Sequence, residues 1–224
     1  MKELLTNSVF FGVMVSILTY ELGMFLKRKL KLAIFNPLLI SIAAVINIDY
    51  DSYNAGAKYI SYLLTPATVC LAVPLYEQVE LLKKNAKAIF AGILSGVLTS
   101  ILCVLAGCAI FGLSHEQYVT LLPKSITTAI GMGVSEELGG IVTITVAVII
   151  ITGVFGNMMA EFVCKVFRIQ EPVAKGIAIG SAAHAVGTAK AMEMGDIEGA
   201  MSSLSIAVAG LMTVVAAPLF AGIL

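Results

Sequence analysis

Residues Ser125–Gly139 read SITTAIGMGVSEELG, and residues Ser181–Gly195 read SAAHAVGTAKAMEMG. Aligned at an offset of 56, the two stretches are identical at Ser125/Ser181, Ala129/Ala185, Gly131/Gly187, Glu137/Glu193 and Gly139/Gly195, five of fifteen positions, with Ile130 opposite Val186. Both are too short and too interrupted by small and polar residues for an ordinary membrane-spanning helix, yet each runs directly into a long apolar segment. Two re-entrant or broken segments, each backed by a full span, would look like this. Non-helical backbone at membrane depth is tolerated only where protein buries it or a water-filled cavity meets it. Paired interrupted segments therefore point to a transporter's central site. Chance matching of small residues in a chain rich in Gly and Ala is the competing explanation.

Composition sets the class. The chain has 59% apolar and 12% charged residues, with a mean hydropathy of +0.99. That excludes an ordinary soluble globular domain and implies a polytopic membrane protein. The formal net charge is zero, so nothing favours a nucleic-acid partner. Cys70, Cys103, Cys108 and Cys164 lie in or beside apolar runs without metal-ligand spacing, and buried free thiols are expected. The apolar run from Leu4 meets Lys27, Arg28 and Lys29 rather than a small-residue cleavage site, so no cleavable signal peptide is expected.

Six apolar runs are read as spans: Leu4–Leu26, Leu32–Ile48, Tyr59–Tyr76, Ala88–Ser114, Leu138–Ala160 and Gly199–Leu224. Pro66 is expected to open the third near Thr65, because proline removes a backbone donor and clashes with the preceding turn. Glu77–Lys87 reads as an amphipathic connector. Gly92 and Gly96 form a small-xxx-small face that suits close helix packing, within the chain or between subunits. Residues 114–122, SHEQYVTLL, read as a surface helix capped by Ser114, with Tyr118, Leu121 and Leu122 on its apolar side.

Charge sets the orientation. If both repeat copies enter and leave on the same side, the basic clusters at 27–31, 83–87 and 165–175 share one face, which gathers ten of the fourteen Lys and Arg residues. The positive-inside rule makes that face cytoplasmic. One full span separates the copies, so they would enter from opposite faces. The expected fold is an all-α membrane protein with about six transmembrane helices plus two opposed re-entrant or broken-helix segments forming an inverted repeat. It is read as a single domain over 1–224: N-terminal helices over 1–113 as a candidate scaffold, then hairpin-plus-span repeats over 114–162 and 171–224.

The residues at the two hairpins suit a small anion. Lys124, Ser125, Thr127 and Thr128 come from the first copy and its lead-in; Ser181, His184 and Thr188 come from the second. Helix N-termini favour negative charge and present unpaired donors. Lys124 adds a full charge and His184 a titratable one, which makes His184 the candidate for proton coupling. Packing roles compete with binding at each position. No nucleophile, base and orienting acid can be grouped, and Glu136-Glu137 lacks a metal-ligand pattern, so neither enzyme activity nor a metal or cofactor is expected.

Several strings carry a family resemblance. Asn36-Pro37-Leu38-Leu39-Ile40, Pro66-Ala67-Thr68-Val69, Ala72-Val73-Pro74-Leu75-Tyr76, Leu122-Pro123-Lys124-Ser125-Ile126-Thr127-Thr128 and His184-Ala185-Val186-Gly187-Thr188-Ala189 resemble the LrgB/CidB family in the same order. Ala129 departs from the proline that the family commonly has after the two threonines. The resemblance implies a multi-pass protein of the bacterial inner (plasma) membrane, antiholin-like and linked to control of murein hydrolases and cell lysis, with a small LrgA/CidA-type membrane partner. It extends to a plant chloroplast-envelope translocator of glycolate and glycerate, and so implies transport of a short carboxylate of the pyruvate, glycolate or glycerate class. Asn36 and Thr68, in the proline-bearing strings, join the expected substrate-binding set. A homodimer is also expected, because a carrier that moves its site needs a scaffold to move against. The competing classes are a holin-like pore and a regulatory partner of hydrolases.

Overall fold

The computed structural model describes residues 8, 10–30, 35–63, 66, 69–70 and 72–224, and every regular element among them is helical. The chain divides into two compact units, Met1–Cys70 and Leu71–Leu224.

The first unit holds α1 (Phe11–Leu30), α2 (Pro37–Val45) and α3 (Tyr50–Ser61), with α1 packed on both of the others. Close approach depends on absent side chains. A Cβ on Gly23 would come within 2.6 Å of Pro37 Cα, and one on Gly12 would collide with the Tyr53 carbonyl. Hydroxyl pairs tie the packed faces together, Ser16 Oγ to Tyr53 Oη at 2.7 Å and Thr19 Oγ1 to Ser41 Oγ at 3.0 Å. Asn36 caps α2 by accepting from Leu38 N–H, and Pro37 takes the first-turn position where its missing N–H costs nothing. Asp49 caps α3 through Ser52 N–H, so the polar stretch after Ile48 starts a helix. The expected opening near Thr65 lies outside the described residues.

The second unit begins with the short α4 (Ala72–Glu77) and then α5 (Val79–Phe111), α6 (His115–Leu121), α7 (Thr128–Glu137), α8 (Val142–Val166), α9 (Pro172–Met194) and α10 (Asp196–Ala221). Among the described residues, α5, α8 and α10 are long and apolar enough to cross a membrane. These match the fourth, fifth and sixth apolar runs. Among the described residues of the first two runs, α1 carries Glu21, Lys27, Arg28 and Lys29, and α2 has nine residues where a span needs about 20; the third run is described only in part. The lysine-bearing connector is continuous with the fourth span, so α5 runs 33 residues, about 50 Å, before Gly112 ends it at φ 63°.

Two expectations are corrected here. The helix after Ser114 forms, carries its capping box with Gln117 and leaves His115, Glu116 and Gln117 exposed, but its apolar side is covered by protein. Tyr118, Val119 and Thr120 are buried in the core with residues of α5 and α10, and Tyr118 Oη donates to Phe220 O at 3.0 Å. Burial of an aromatic and its hydroxyl needs such an acceptor. Of the four cysteines, Cys108 and Cys164 are buried whereas Cys70 and Cys103 are exposed.

Candidate functional site

Neither copy of the repeated stretch is one continuous helix. In the first, α6 ends at Leu121, residues 122–127 turn, and α7 starts at Thr128. In the second, α9 breaks at His184, whose φ of 42° and ψ of −141° lie outside helical geometry. At the offset of 56, His184 corresponds to Thr128, so the second helix of each copy starts at equivalent positions. A glycine follows each, Gly139 in a turn (φ 80°) and Gly195 as a single extended residue (φ 163°), and then α8 or α10.

A non-glycine residue held at positive φ costs about 1–3 kcal/mol and persists only where its surroundings fix it. Here they do. His184 Nε2 lies 3.0 Å from Ile149 O; a carbonyl only accepts, so Nε2 carries the hydrogen. Asn157 Nδ2 donates to Val186 O at 2.8 Å, and Thr188 Oγ1 stands 3.0 Å from His184 O and 2.7 Å from Ser202 Oγ. Gly153 and Gly156 of α8 leave room for the break: a Cβ on Gly153 would lie 2.6 Å from His184 Cε1 and 3.0 Å from Val186 Cβ. The first copy packs in the reciprocal way, since a Cβ on Gly210 of α10 would lie 2.8 Å from Ile130 Cδ1. Each copy's second helix thus touches the span that follows the other copy.

Beside the two breaks lies a cavity of about 750 Å³ walled by α5, the Lys124-Ser125 turn and the first half of α9. Its polar groups are Asn85, Ser95, Thr99, Ser100, Cys103, Lys124, Ser125, Glu171 and Ser181; most of the remainder is alanine and glycine. Lys124 Nζ donates to Ser125 Oγ at 2.9 Å, and Ser100 Oγ donates to the same oxygen at 3.0 Å. Ser181 Oγ donates back to Ile177 O at 2.7 Å. Ser125 and Ser181, the paired serines of the two copies, also share a smaller cavity with Ser100, Ala209 and Thr213. Gly92 and Gly96 belong to the α5 wall. A Cβ on Gly96 would meet Ser181 Oγ at 2.8 Å and one on Gly92 would meet Ile177 Cγ2 at 3.3 Å, so this small-residue face packs on α9 within the chain.

Of the residues expected to bind substrate, the cavity collects Lys124, Ser125 and Ser181. His184 and Thr188 are buried, 3% and 0% exposed, and engaged against α8 and α10 rather than lining the cavity. Thr127 and Thr128 stand at the N-terminus of α7, with Thr127 as its cap residue, and are absent from the wall. Asn36 lies in the first unit, where its side chain caps α2. Thr68 lies outside the described residues. Sequence reading missed the α5 contribution: Ser95, Thr99 and Cys103 are spaced four apart and so share one helix face, a signal present within an otherwise apolar run.

The arrangement places one ammonium, Lys124, among hydroxyls and small side chains, with one carboxylate, Glu171, in the same wall. It can replace the hydration of a small anion with charge-assisted and hydroxyl donors. No group of three or more His, Cys, Asp or Glu side chains suited to a metal ion occurs among the described residues.

Comparison with known proteins gives a consistent result. The LrgB-like family matches residues 16–223. The antiholin-like protein LrgB of Bacillus cereus strain B4264 is 37% identical over 222 residues, covering 96% of this chain and 96% of that protein. The antiholin-like protein LrgB of Bacillus anthracis strain CDC 684 / NRRL 3495 shows the same identity and coverage. No solved structure is significantly similar.

Proposed function

Starting from this chain's membership of the LrgB-like family, we propose that it carries a small carboxylate of the pyruvate, glycolate or glycerate class across the bacterial inner membrane. The observation that supports this reading is the cavity in which Lys124, Ser125 and Ser181 meet, because it joins the two repeat copies at one hydroxyl-lined site where Lys124 supplies an ammonium, with Glu171 elsewhere in the wall. A carboxylate taken from water needs such replacement donors.

The reciprocal packing of the two copies supports an inverted repeat of two opposed broken segments, and hence alternating access around the shared site by an elevator-like movement. His184 is not in the cavity wall, but it pins the second break through Ile149 O, and its other ring nitrogen can titrate. Its role in this proposal is to couple proton binding to the position of the break, with H⁺ as the coupling ion. The carrier works as a homodimer, with an LrgA/CidA-type membrane protein as partner.

A second reading is an antiholin-like regulator of murein hydrolases and lysis, and the names of the relatives favour it more directly than they favour transport. Uptake by the purified chain in liposomes separates the two. Saturable carboxylate flux that Lys124→Ala abolishes supports the carrier. Absent flux together with intact control of lysis supports the regulator, and nonselective leakage supports a holin-like pore.

A further inference from the structure

We propose that Ser100 of α5, outside both repeat copies, is a positioning residue of the anion site, acting through Ser125. This inference rests on the carboxylate-binding reading of the cavity. A serine oxygen offers two acceptor positions and one hydrogen. At Ser125 both acceptor positions are taken, one by Lys124 Nζ at 2.9 Å and one by Ser100 Oγ at 3.0 Å. The Ser125 hydroxyl hydrogen has no acceptor among the described contacts, and the residue is 7% exposed and borders the cavity. Burying a hydroxyl hydrogen without a partner is costly, so the hydrogen is left for an acceptor that enters the cavity.

Ser100 fixes this polarity. Without its donation the Ser125 hydroxyl could turn its hydrogen toward residue 100 or toward its own backbone, and the ammonium would face the ligand without the aligned O–H. With it, the remaining Lys124 N–H groups and the Ser125 O–H form one convergent donor set suited to a planar carboxylate. Lys124 and Ser125 belong to the lead-in and first residue of one repeat copy, whereas Ser100 sits on α5. Any movement of the repeat segment relative to α5 would therefore break the Ser100 to Ser125 bond and loosen the grip on the ligand.

Cys103, exposed in the same wall, provides a native reporter. In the full-length chain, the rate of maleimide modification at Cys103 is followed by peptide mass spectrometry against increasing pyruvate. Wild-type protein is expected to be protected in a saturable way. Ser100→Ala is expected to raise the half-protecting concentration up to roughly tenfold, the scale of one neutral hydrogen bond. Ser100→Thr, which keeps the donor, is expected to restore it. In a Ser125→Ala background the Ser100→Ala change is expected to add nothing, a result that a merely structural role would not give. Protection of wild type with an unchanged Ser100→Ala, or additive losses in the double variant, would overturn the Ser100 assignment alone. No protection of wild type by pyruvate, glycolate or glycerate would overturn the carboxylate reading and this inference with it.

Discussion

Gly153→Ala is the sharpest test of how the second break is held. The added methyl would stand 2.6 Å from His184 Cε1, 2.8 Å from Nε2 and 3.0 Å from Val186 Cβ, where ordinary contact begins at 3.4 Å. The ring must retreat by about 0.8 Å to relieve the worst contact. Its Nε2 to Ile149 O bond starts at 3.0 Å, so the same movement can stretch it past hydrogen-bonding length. Overpacking costs about 1–3 kcal/mol, and a buried hydrogen bond left unmade costs about 1–3 kcal/mol. The helix preference of Ala over Gly returns about 1 kcal/mol. The net loss is about 1–5 kcal/mol, centred near 3, or roughly 6–12 °C in melting temperature on the scale of soluble domains of this length. Gly107→Ala in α5 is the matched control, because nothing lies within 4 Å of its added Cβ. In detergent, Gly153→Ala is expected to melt well below wild type and Gly107→Ala at or slightly above it. Equal melting of the two variants would refute the packing of His184 against α8.

Lys124→Ala is expected to reduce carboxylate uptake at least about tenfold with unchanged or higher melting temperature, since it removes a half-buried ammonium that contributes binding more than stability. Asn157→Ala is expected to destabilise the protein by about 1–3 kcal/mol, measured by thermal melting, because it takes the side-chain donor from the Val186 carbonyl at the break. Thr188→Val removes the hydroxyl that joins His184 O to Ser202 at a fully buried position, and a loss of about 1–2 kcal/mol is expected by the same measurement. His184→Ala is expected to flatten the pH dependence of uptake between about pH 5 and 8, whereas a retained dependence would remove His184 from proton coupling.

The site was half legible in the sequence. Alignment of the two similar stretches singled out Ser125 and Ser181, and these two share a cavity. His184 stood out by residue type, but whether it faced the cavity or α8 depended on the backbone twist at φ 42°, which no spacing rule contains. The α5 wall was hidden for a different reason. Serine and threonine in a long apolar run satisfy themselves on the helix's own carbonyls, as Ser95 Oγ does with Gly92 O, so they do not disturb a hydropathy reading. The burial of α6 was illegible because an apolar face reads the same whether lipid or protein covers it. In the N-terminal unit, Pro37 takes the first turn of a nine-residue helix, so uncharged length alone overstated how much of the second run forms spanning helix.

The most direct measurement of the central claim is counterflow of labelled pyruvate, glycolate or glycerate in liposomes that contain the purified chain, with Lys124→Ala and Ser181→Ala reconstituted beside it. The expected result is saturable exchange by wild type that competes among small carboxylates, excludes an uncharged solute of similar size, and is lost in Lys124→Ala while that variant remains folded. Exchange that persists at full rate in Lys124→Ala, or leakage that does not distinguish the carboxylates from the neutral solute, would contradict the account.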